Sequence, residues 1–349
     1  EKSKPTQQSV NLLRQRGIQP DIIIGRCARK LDDSTRERIS LFCDLEKDAV
    51  ITGLDVDNVY SIPLVFEEEG IMKRLSEKLG WDVQPKMEEW KKLTENMKGT
   101  SQKVHIAMCG KYTKLEDSYA SVIEAIKHAG AKLNVQPEIH WIETTHIEEG
   151  KTTVDQALRF MDGVIVPGGF GSRGAEGKIQ VIQHARENNL PYLGLCYGMQ
   201  LATIEYARNK CEMGDANSTE INPLTTNPVI DLLPEQMNVT EKGATMRLGG
   251  QDVEVKPDTK AYSLFGHTAR LRFRHRYEVN PKYVEALEKN GLIFSGKAPQ
   301  REIMQIMELS AHPFFMATQA HPELTSRLDK PCPFFLEFVR TASQNREAM

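Results

Sequence analysis

Short apolar runs alternate with amphipathic segments along most of the chain. From residue 103, apolar runs that predict strands lie at 104–109, 138–142, 164–166 and 192–196. Each is followed by a stretch of helical periodicity, at 118–129, 154–161, 175–188 and 198–209. This alternation predicts the α/β class, with a mostly parallel sheet flanked by helices. After about residue 240, short extended runs predict further strands, including antiparallel pairs, at 252–255, 274–279, 292–295, 303–309 and 314–319, before a closing helix at 334–341.

The first 80 residues alternate in the same way, but with only two convincing strands, at 21–25 and 49–53. Ser34 and Glu37 fit a capping box at the start of the helix between these strands. Because a two-stranded parallel sheet is not a stable domain, we expect an incomplete α/β segment whose partner strands lie upstream. The polar, charged stretch that follows predicts a linker. The expected organisation is a first domain at 1–81, a linker at 82–102 and a second domain at 103–349.

The composition narrows the classes of function. The 349 residues carry 45 Lys and Arg against 48 Asp and Glu, and this near-balance argues against a dedicated nucleic-acid binder. No apolar run approaches the roughly 18 residues that span a bilayer, and no signal peptide begins the chain, so no membrane association is expected. The six cysteines contain no C-x-x-C pair, which argues against a zinc ribbon or disulfide scaffold and favours a reduced, cytoplasmic protein. Since residue 1 is Glu, the chain is expected to be part of a longer polypeptide.

The most informative stretch surrounds Cys196. An apolar strand ends at this cysteine, a helix begins directly after it, and Gly194 and Gly198 flank it at −2 and +2. This is the spacing of a nucleophile elbow, where a sharp turn leaves no room for neighbouring Cβ atoms. The start of a helix also favours a thiolate over a thiol. A buried core cysteine is the commoner fate of this residue type, but the two glycines favour a nucleophile.

A cysteine nucleophile needs a base, and His321 is the best candidate among the nine histidines. It follows the apolar run at 314–320 and precedes Pro322 and Glu323. Because residues two apart in extended chain point to the same side, Glu323 can orient one ring nitrogen of His321 while the other faces the thiolate. The three residues then follow the nucleophile, base and orienter logic of a catalytic triad.

A glycine-rich loop follows the strand at 164–166. Its residues 169–174 match G-x-G-x-x-G, but the next strand ends in Cys196 rather than in an acid for a ribose, so a dinucleotide site fits badly. A Walker A loop fails as well, because the Gly-Lys pair at 177–178 is followed by Ile. We favour an oxyanion hole, in which backbone N–H groups of this loop and of Tyr197 converge on a developing oxyanion.

Three motifs occur in the order found in class I, triad-type glutamine amidotransferases, and the chain resembles this family. They are Pro-Gly-Gly at 167–169, Gly-x-Cys-x-Gly-x-Gln at 194–200 and His-Pro-Glu at 321–323. Within that class, the resemblance is to the CTP synthase family. The segments that carry it lie at 2–7, 38–43, 110–112, 118–124, 168–177, 217–220, 245–249 and 274–278, of which the first two resemble the end of a synthase domain.

The resemblance implies a role for each matching residue. Cys196, His321 and Glu323 would be catalytic, with the amides of Gly169 and Tyr197 as the oxyanion hole. The residues implied to bind L-glutamine are Gly169, Phe170, Gln200, Glu220 and Arg276. Those implied to contact UTP or CTP are Lys2, Lys4, Gln7 and Arg38. The first three of these stand at a predicted helix N-terminus, where phosphate binds favourably.

The same resemblance implies that ammonia from glutamine serves the ATP-dependent amination of UTP to CTP, a step of pyrimidine nucleotide biosynthesis. The whole enzyme is expected to use ATP and magnesium and to be activated by GTP, which would stabilise a lid at 170–177. No cofactor and no metal ligand is expected in this chain itself. The expected oligomer is a homotetramer, with filaments as a further form at full length.

The chain departs from the family pattern at four positions. It has Ser3 where Thr is found, Arg38 where Lys is found, Tyr197 where Leu is common, and Ala320 where an aromatic residue is frequent. Two alternatives stay open: another class I amidotransferase of the GMP-synthesis or anthranilate type, and a non-catalytic nucleotide-sensing or polymer-forming homologue. Residues 1–81 argue against the first alternative, and the intact candidate triad argues against the second.

Overall fold

The structure is a computed structural model that describes residues 2–99, 102–110, 116–232 and 247–347. Two stretches within the family-like segments, 111–112 and 245–246, lie outside the described residues. The chain divides into two compact units, Glu1–Glu95 and Asn96–Met349. In the part that the structure describes, no helix is long and apolar enough to cross a membrane.

The first unit is a small α/β segment. Its two strands, β1 (Ile23–Cys27) and β2 (Val50–Leu54), pair in parallel, as the two apolar runs predicted. Its helices are α1 (Lys4–Arg14), α2 (Asp33–Cys43), α3 (Ile62–Glu68), α4 (Ile71–Leu79) and α5 (Glu88–Asn96). Val10, Ile39 and Val50 belong to a single buried cluster, so α1 and α2 share a core with β2.

Two local features of this unit bear on the sequence predictions. The N-cap of α2 is Asp32 rather than Ser34: its carboxylate accepts the backbone N–H of Thr35 at 2.7 Å and the hydroxyl of Ser34 at 2.8 Å. A carboxylate both caps the helix and complements its dipole, which explains why it outcompetes a serine two residues later. The predicted linker at 82–102 contains α5, whose Trp90 indole donates to the Tyr60 carbonyl at 2.8 Å.

The second unit contains the elements predicted from the repeating pattern, together with shorter ones. Its strands are β3 (Lys103–Gly110), β4 (Gln136–Glu143), β5 (Gly163–Val166), β6 (Tyr192–Leu195), β7 (Asn217–Ser218), β8 (Pro228–Leu232), β9 (Arg247–Val255), β10 (Thr268–His275), β11 (Tyr277–Val279), β12 (Ile293–Lys297), β13 (Met304–Glu308) and β14 (Phe315–Thr318). Its helices are α6 (Ala120–Leu133), α7 (Thr144–Glu148), α8 (Val154–Leu158), α9 (Ala175–Glu187), α10 (Tyr197–Lys210), α11 (Lys260–Phe265), α12 (Val284–Lys289) and α13 (Pro333–Glu347).

Nine strands of the described residues form one sheet, in the order β10-β9-β12-β13-β14-β6-β5-β3-β4. The strands from β14 to β4 are parallel, and the rest pair antiparallel. Helices α6 and α13 cover one face through Ile126 and Phe338, while α9 and α10 cover the other through Ile182 and Leu201. The predicted α/β class is confirmed, with antiparallel strands where the short runs indicated them.

The strand β14 determines where the C-terminal residues lie. It pairs in parallel with β6, with Thr318 opposite Leu195, although the chain between these two strands passes through α10, the second sheet and the antiparallel strands of the large sheet. Because the carboxyl ends of parallel neighbours meet at one edge, the residues after Leu195 and after Thr318 emerge side by side. The backbone N–H of Cys196 donates to the Thr318 carbonyl at 2.7 Å and fixes this alignment.

A second, three-stranded sheet with the order β11-β8-β7 was predicted only in part: the run at 274–279 contains β11, whereas no strand was predicted at β7 or β8. Its strands contain two to five residues, which is too short for a reliable alternation of apolar and polar positions. The sheet fixes the backbone on either side of Glu220, which follows β7, and of Arg276, which precedes β11.

Candidate active site

A sharp turn between β6 and α10 carries Cys196. Its backbone angles, φ 50° and ψ −98°, are rare for a residue with a side chain, and such strain is typical of a nucleophile elbow. A Cβ on Gly198 would lie 2.2 Å from the carbonyl oxygen of Val166, and a Cβ on Gly194 would lie 2.8 Å from the Cβ of Ala317. The expected need for glycine on both sides of the cysteine is confirmed.

His321 and Glu323 follow β14, next to this turn. The Nδ1 atom of His321 lies 2.7 Å from Oε1 of Glu323. The His321 ring and the Cys196 side chain are close neighbours, since both contact the position of a Cβ built on Gly168. The backbone N–H of His321 donates to the Arg272 carbonyl at 2.7 Å, which anchors the ring. Glu323 is buried, and within the described part of the chain its Oε2 atom has no hydrogen-bond partner. The structure therefore brings sulfur, imidazole and carboxylate together in that order.

The surroundings of His321 favour its cationic form. Burial lowers the pKa of this histidine, but hydrogen bonds and charge attraction from Cys196 and Glu323 outweigh burial and raise it to about 10. Burial raises the pKa of the Cys109 and Cys332 thiols to about 12, so both are protonated at neutral pH. The Cys196 sulfur lies beside His321 and stands at the start of α10.

The buried side-chain amides of Gln319 and Gln200 form a chain of hydrogen bonds that ends at the Cys196 sulfur. The side chain of Gln319 donates to Cys196 Sγ at 3.4 Å, and its carbonyl oxygen accepts from Gln200 at 3.3 Å. Gln200 also donates to the Tyr277 carbonyl at 2.8 Å. Gln200 was predicted to contact substrate, whereas Gln319 was missed. The signal for Gln319 was its place two residues before His321, which puts both side chains on the same side of an extended chain.

The glycine loop after β5 approaches the reacting groups closely. A Cβ on Gly168 would lie 2.8 Å from Cε1 of His321 and 3.7 Å from the Cβ of Cys196. A Cβ on Gly169 would lie 3.6 Å from the ring of Tyr197. Tyr197 is the first residue of α10, where backbone N–H groups have no intrahelical acceptor. The two amides predicted as an oxyanion hole thus belong to adjacent segments beside the sulfur.

Tyr197 and Glu220 both hydrogen-bond to the backbone of Gly171 in this loop. The Tyr197 hydroxyl donates to the Gly171 carbonyl, and burial raises the pKa of Tyr197, so that this donor keeps its proton. The ammonium of the buried Lys178 lies 5.2 Å from the centre of the Tyr197 ring. Glu220 accepts the backbone N–H of Gly171 at 3.4 Å. Tyr197 therefore has a structural function: its hydroxyl links the loop to α10.

The other predicted glutamine contacts surround the same loop and turn. Phe170 is 64% exposed, one residue after Gly169. Arg276 is half-buried, and among the described residues its Nε atom has no hydrogen-bond partner. The sulfur of Cys196 lies 3.9 Å from the carbonyl of Arg274, so this segment reaches the surroundings of the thiol. Substrate binding by Phe170, Gln200, Glu220 and Arg276 stays a prediction.

The four residues predicted to contact UTP or CTP lie in the first unit. Lys2 and Lys4 are exposed at the start of α1, and Gln7 donates to the hydroxyl of the buried Ser3 at 3.1 Å. Arg38 lies within α2 and is exposed. The structure groups the first three residues at one helix start and places Arg38 on a second helix, and their role stays a prediction.

A cysteine on a strained turn, with a histidine–glutamate pair at the end of the adjacent parallel strand, defines a class of α/β proteins with a Cys-His-Glu triad. The chain belongs to one family of this class, since residues 114–341 match the family Glutamine amidotransferase class-I. Residues 1–81 match a second family description, CTP synthase N-terminus.

Known proteins with similar sequences are CTP synthases from archaea. The chain is 48% identical to the CTP synthase of Sulfolobus acidocaldarius over 98% of its own length and 65% of that protein. It is 46% identical to the CTP synthase of Archaeoglobus fulgidus over 99% of its length and 64% of that protein. The chain therefore spans just under two thirds of the length of these relatives.

A solved structure shows the same fold. The glutaminase domain of Trypanosoma brucei CTPS with bound acivicin is 35% identical and superimposes with a TM-score of 0.64. The superposition covers 69% of this chain and 94% of that domain.

Proposed function

We propose that this chain is the glutamine-hydrolysing part of a CTP synthase, in which ammonia from L-glutamine aminates UTP. The observation that carries the proposal is the arrangement of Cys196, His321 and Glu323 at the adjoining ends of β6 and β14. The match of residues 1–81 and the names of the archaeal relatives support CTP as the product.

In the first half of glutamine hydrolysis, the Cys196 thiolate attacks the side-chain amide carbon of the substrate. The carbonyl electron pair moves to the oxygen, and the backbone N–H groups of Gly169 and Tyr197 stabilise the resulting oxyanion. As the tetrahedral intermediate collapses, the C–N bond breaks, and His321 transfers its proton to the departing nitrogen. Ammonia leaves, and a γ-glutamyl thioester remains on Cys196.

In the second half, His321 accepts a proton from water while the water oxygen attacks the thioester carbon. The C–S bond breaks, glutamate is released, and the thiolate–imidazolium pair is restored. Glu323 orients the ring throughout and stabilises its cationic form, at a distance of 2.7 Å from Nδ1. Gln319 donates to the sulfur and so favours the thiolate both before attack and after release.

The ammonia then serves the amination of UTP. ATP phosphorylates the 4-oxygen of the uracil ring, and ammonia displaces phosphate from that carbon, which yields CTP, ADP and phosphate. The cationic residues Lys2, Lys4 and Arg38, with Gln7, bind the triphosphate, because a helix start and positive side chains both attract phosphate. The proposal also includes magnesium as the partner of ATP, and GTP as an activator that acts on residues 170–177. It further includes a homotetramer that can form filaments, and a cytoplasmic location.

The match of residues 1–81 to the CTP synthase N-terminus favours this proposal over an amidotransferase of the GMP-synthesis or anthranilate type. A non-catalytic homologue is disfavoured by the geometry of the triad. Such a protein has no need for a strained cysteine, an oriented imidazole and a buried carboxylate in mutual contact.

Release of ammonia and glutamate from L-glutamine, measured with and without GTP, tests the first half. Equal amounts of the two products are expected, with no release by a Cys196→Ser variant. Cys211→Ser is the matched control, because Cys211 is a free, partly exposed thiol at the far end of α10. Release that persists in Cys196→Ser would overturn the glutaminase assignment.

Calorimetric titration with UTP tests the second half of the proposal. We expect Lys4→Ala to weaken UTP binding, and unchanged binding would argue against a nucleotide site in the first unit.

A further inference from the structure

Two histidines and a glutamate meet on the edge of the large sheet. In the parallel pairing of β3 with β4, His105 lies opposite Glu138 and Ala107 lies opposite His140. Paired residues of neighbouring strands share a face, and so do residues two apart along one strand. The side chains of His105, Glu138 and His140 therefore project from the same face of the sheet.

The three side chains are in direct contact. His105 Nδ1 lies 2.8 Å from His140 Nε2 and 3.4 Å from Glu138 Oε2. One ligand atom from each residue can be chosen so that all three atoms lie within 4.8 Å of one another. Ligand atoms around a tetrahedral zinc ion, each about 2.0–2.2 Å from the metal, stand roughly 3.4 Å apart. Adjustments of about 1 Å would let all three residues coordinate one ion.

The chemistry of the set selects a transition metal. Imidazole nitrogens bind zinc, copper and nickel, whereas magnesium and calcium prefer sites built from oxygen ligands. Three protein ligands leave a further coordination position for water. Lys103 contacts Glu138 Oε1 at 2.6 Å, which leaves the other carboxylate oxygen on the side of His105. The Lys103 ammonium therefore orients the carboxylate in the manner of an outer-shell partner.

The cluster is partly shielded from solvent and tied to the fold. The side chains of His105 and Glu138 are 20% and 31% exposed, so an ion can enter but finds ligands of restricted mobility. The backbone N–H of His105 donates to the buried Asp162 carboxylate at 2.7 Å, which fixes this part of β3. The site lies in the strand interiors and is distinct from Cys196, which follows the carboxyl end of β6.

We propose that His105, Glu138 and His140 bind one divalent transition metal ion, such as zinc, and that this ion links the edge strand β4 to β3. Among the described strands, β4 has a neighbour on one side only, so a link between side chains stabilises it where backbone pairing is incomplete. The proposal is independent of glutamine hydrolysis. Sequence reading missed the site because its two histidines are 35 positions apart.

Calorimetric titration with zinc chloride tests the proposal. A Cys196→Ala background is used, since the reactive thiol and His321 offer zinc a competing site. One zinc ion per chain is expected, with no comparable binding of magnesium, and zinc is expected to raise the melting temperature. The His140→Ala change should weaken zinc binding by more than the roughly 10–100-fold cost typical of outer-shell changes.

His184→Ala is the matched control. The His184 side chain is 24% exposed and lies 3.1 Å from an Asp155 oxygen, so it resembles His105 without a second histidine. Zinc affinity should be unchanged in this variant. Glu138→Gln preserves shape and is used if His140→Ala fails to fold. Absence of zinc binding in the parent chain, or equal affinity in the parent and in a folded His140 or Glu138 variant, would overturn the proposal.

Discussion

The side-chain amide of Gln319 donates to the sulfur of Cys196 at 3.4 Å. The two residues are 123 positions apart in the chain, yet the parallel pairing of β14 with β6 makes them neighbours. Gln319 is fully buried, so this hydrogen bond is shielded from competing water. The nucleophile is therefore stabilised from two sides, by the imidazole of His321 and by a neutral amide.

Removal of that amide is expected to slow glutamine hydrolysis. A hydrogen bond to a charged group contributes about 1.5–3 kcal/mol, so Gln319→Met should lower kcat by roughly 10–100-fold. Gln305→Met is the control, because Gln305 is also fully buried, on the adjacent strand β13, and its side chain has no partner among the described residues. Steady-state ammonia release distinguishes the two variants. Equal losses in both would mean that Gln319 acts only through packing.

Labelling with a glutamine-mimicking diazo-ketone should modify one residue per chain, Cys196. Acivicin, which is bound by the Trypanosoma brucei domain, serves as a second reagent. Cys109 and Cys332 should stay unlabelled, because they are buried and their raised pKa keeps them as thiols. Peptide mass spectrometry locates the adduct. An adduct on Cys109, or none at saturating reagent, would remove the catalytic role of Cys196.

Loss of the base should affect turnover far more than binding. His321→Ala is expected to lower kcat by several orders of magnitude while glutamine affinity is largely retained, since the imidazole acts on protons in the reaction. His312→Ala is a matched control: this buried histidine contacts the Ala185 carbonyl and the Phe314 amide, so its loss should reduce stability instead. Near-normal turnover by the His321 variant would identify a different base.

The pH dependence of hydrolysis should reveal the coupling of His321 to Glu323. Activity is expected to fall as pH rises through about 10, because the neutral imidazole has no proton to give to the departing nitrogen. Glu323→Gln removes a charge that raises the pKa of His321, so the alkaline limb of kcat/KM should move to lower pH. If the alkaline limb of kcat/KM is at the same pH in Glu323→Gln and in the parent chain, a group other than His321 determines it.

The stability of the fold should also depend on the protonation of His321. Folding raises the pKa of His321 above its ordinary value of 6.5, so its stabilising contribution is complete below pH 6.5 and is lost as pH rises through about 10. The free energy of unfolding of the parent chain, relative to a His321→Gln variant, should therefore decrease across that range. Urea denaturation at several pH values measures the difference, and a constant difference would contradict the raised pKa.

The turn at Cys196 should tolerate no Cβ at Gly198. Gly198→Ala places that atom 2.2 Å from the Val166 carbonyl oxygen, and overpacking of this kind costs about 1–3 kcal/mol or more. Gly214→Ala is the control, because its Cβ would meet nothing within 4 Å. Urea denaturation should show a large loss for the first variant and little change for the second. Equal stability would mean that the turn can relax around the added methyl group.

The features that could be predicted from the sequence are local ones. Cys196 between two glycines, and His321 two residues before Glu323, depend on neighbours within a few positions of the chain. The order of the main strands and helices follows from hydrophobic periodicity for the same reason.

The features that could not be predicted depend on which distant strands become neighbours. The contact of Gln319 with the sulfur requires β14 to pair in parallel with β6, and the cluster at His105 requires the register of β3 with β4. The N-cap at Asp32 was missed for a different reason, because Asp32 and Ser34, two residues apart, both suit the same helix start. Sequence alone assigns residue types to such sites but not their partners.

The position of β14 also determines when a chain that is still being synthesised can first form the candidate active site. The elbow follows β6. His321 can reach it only after the strands between β6 and β14 have been synthesised and β14 has paired with β6. A ribosome-bound chain that has exposed Cys196 alone thus holds a sulfur without its proton donor. Under the proposed function, glutamine hydrolysis therefore cannot begin until synthesis has passed Glu323.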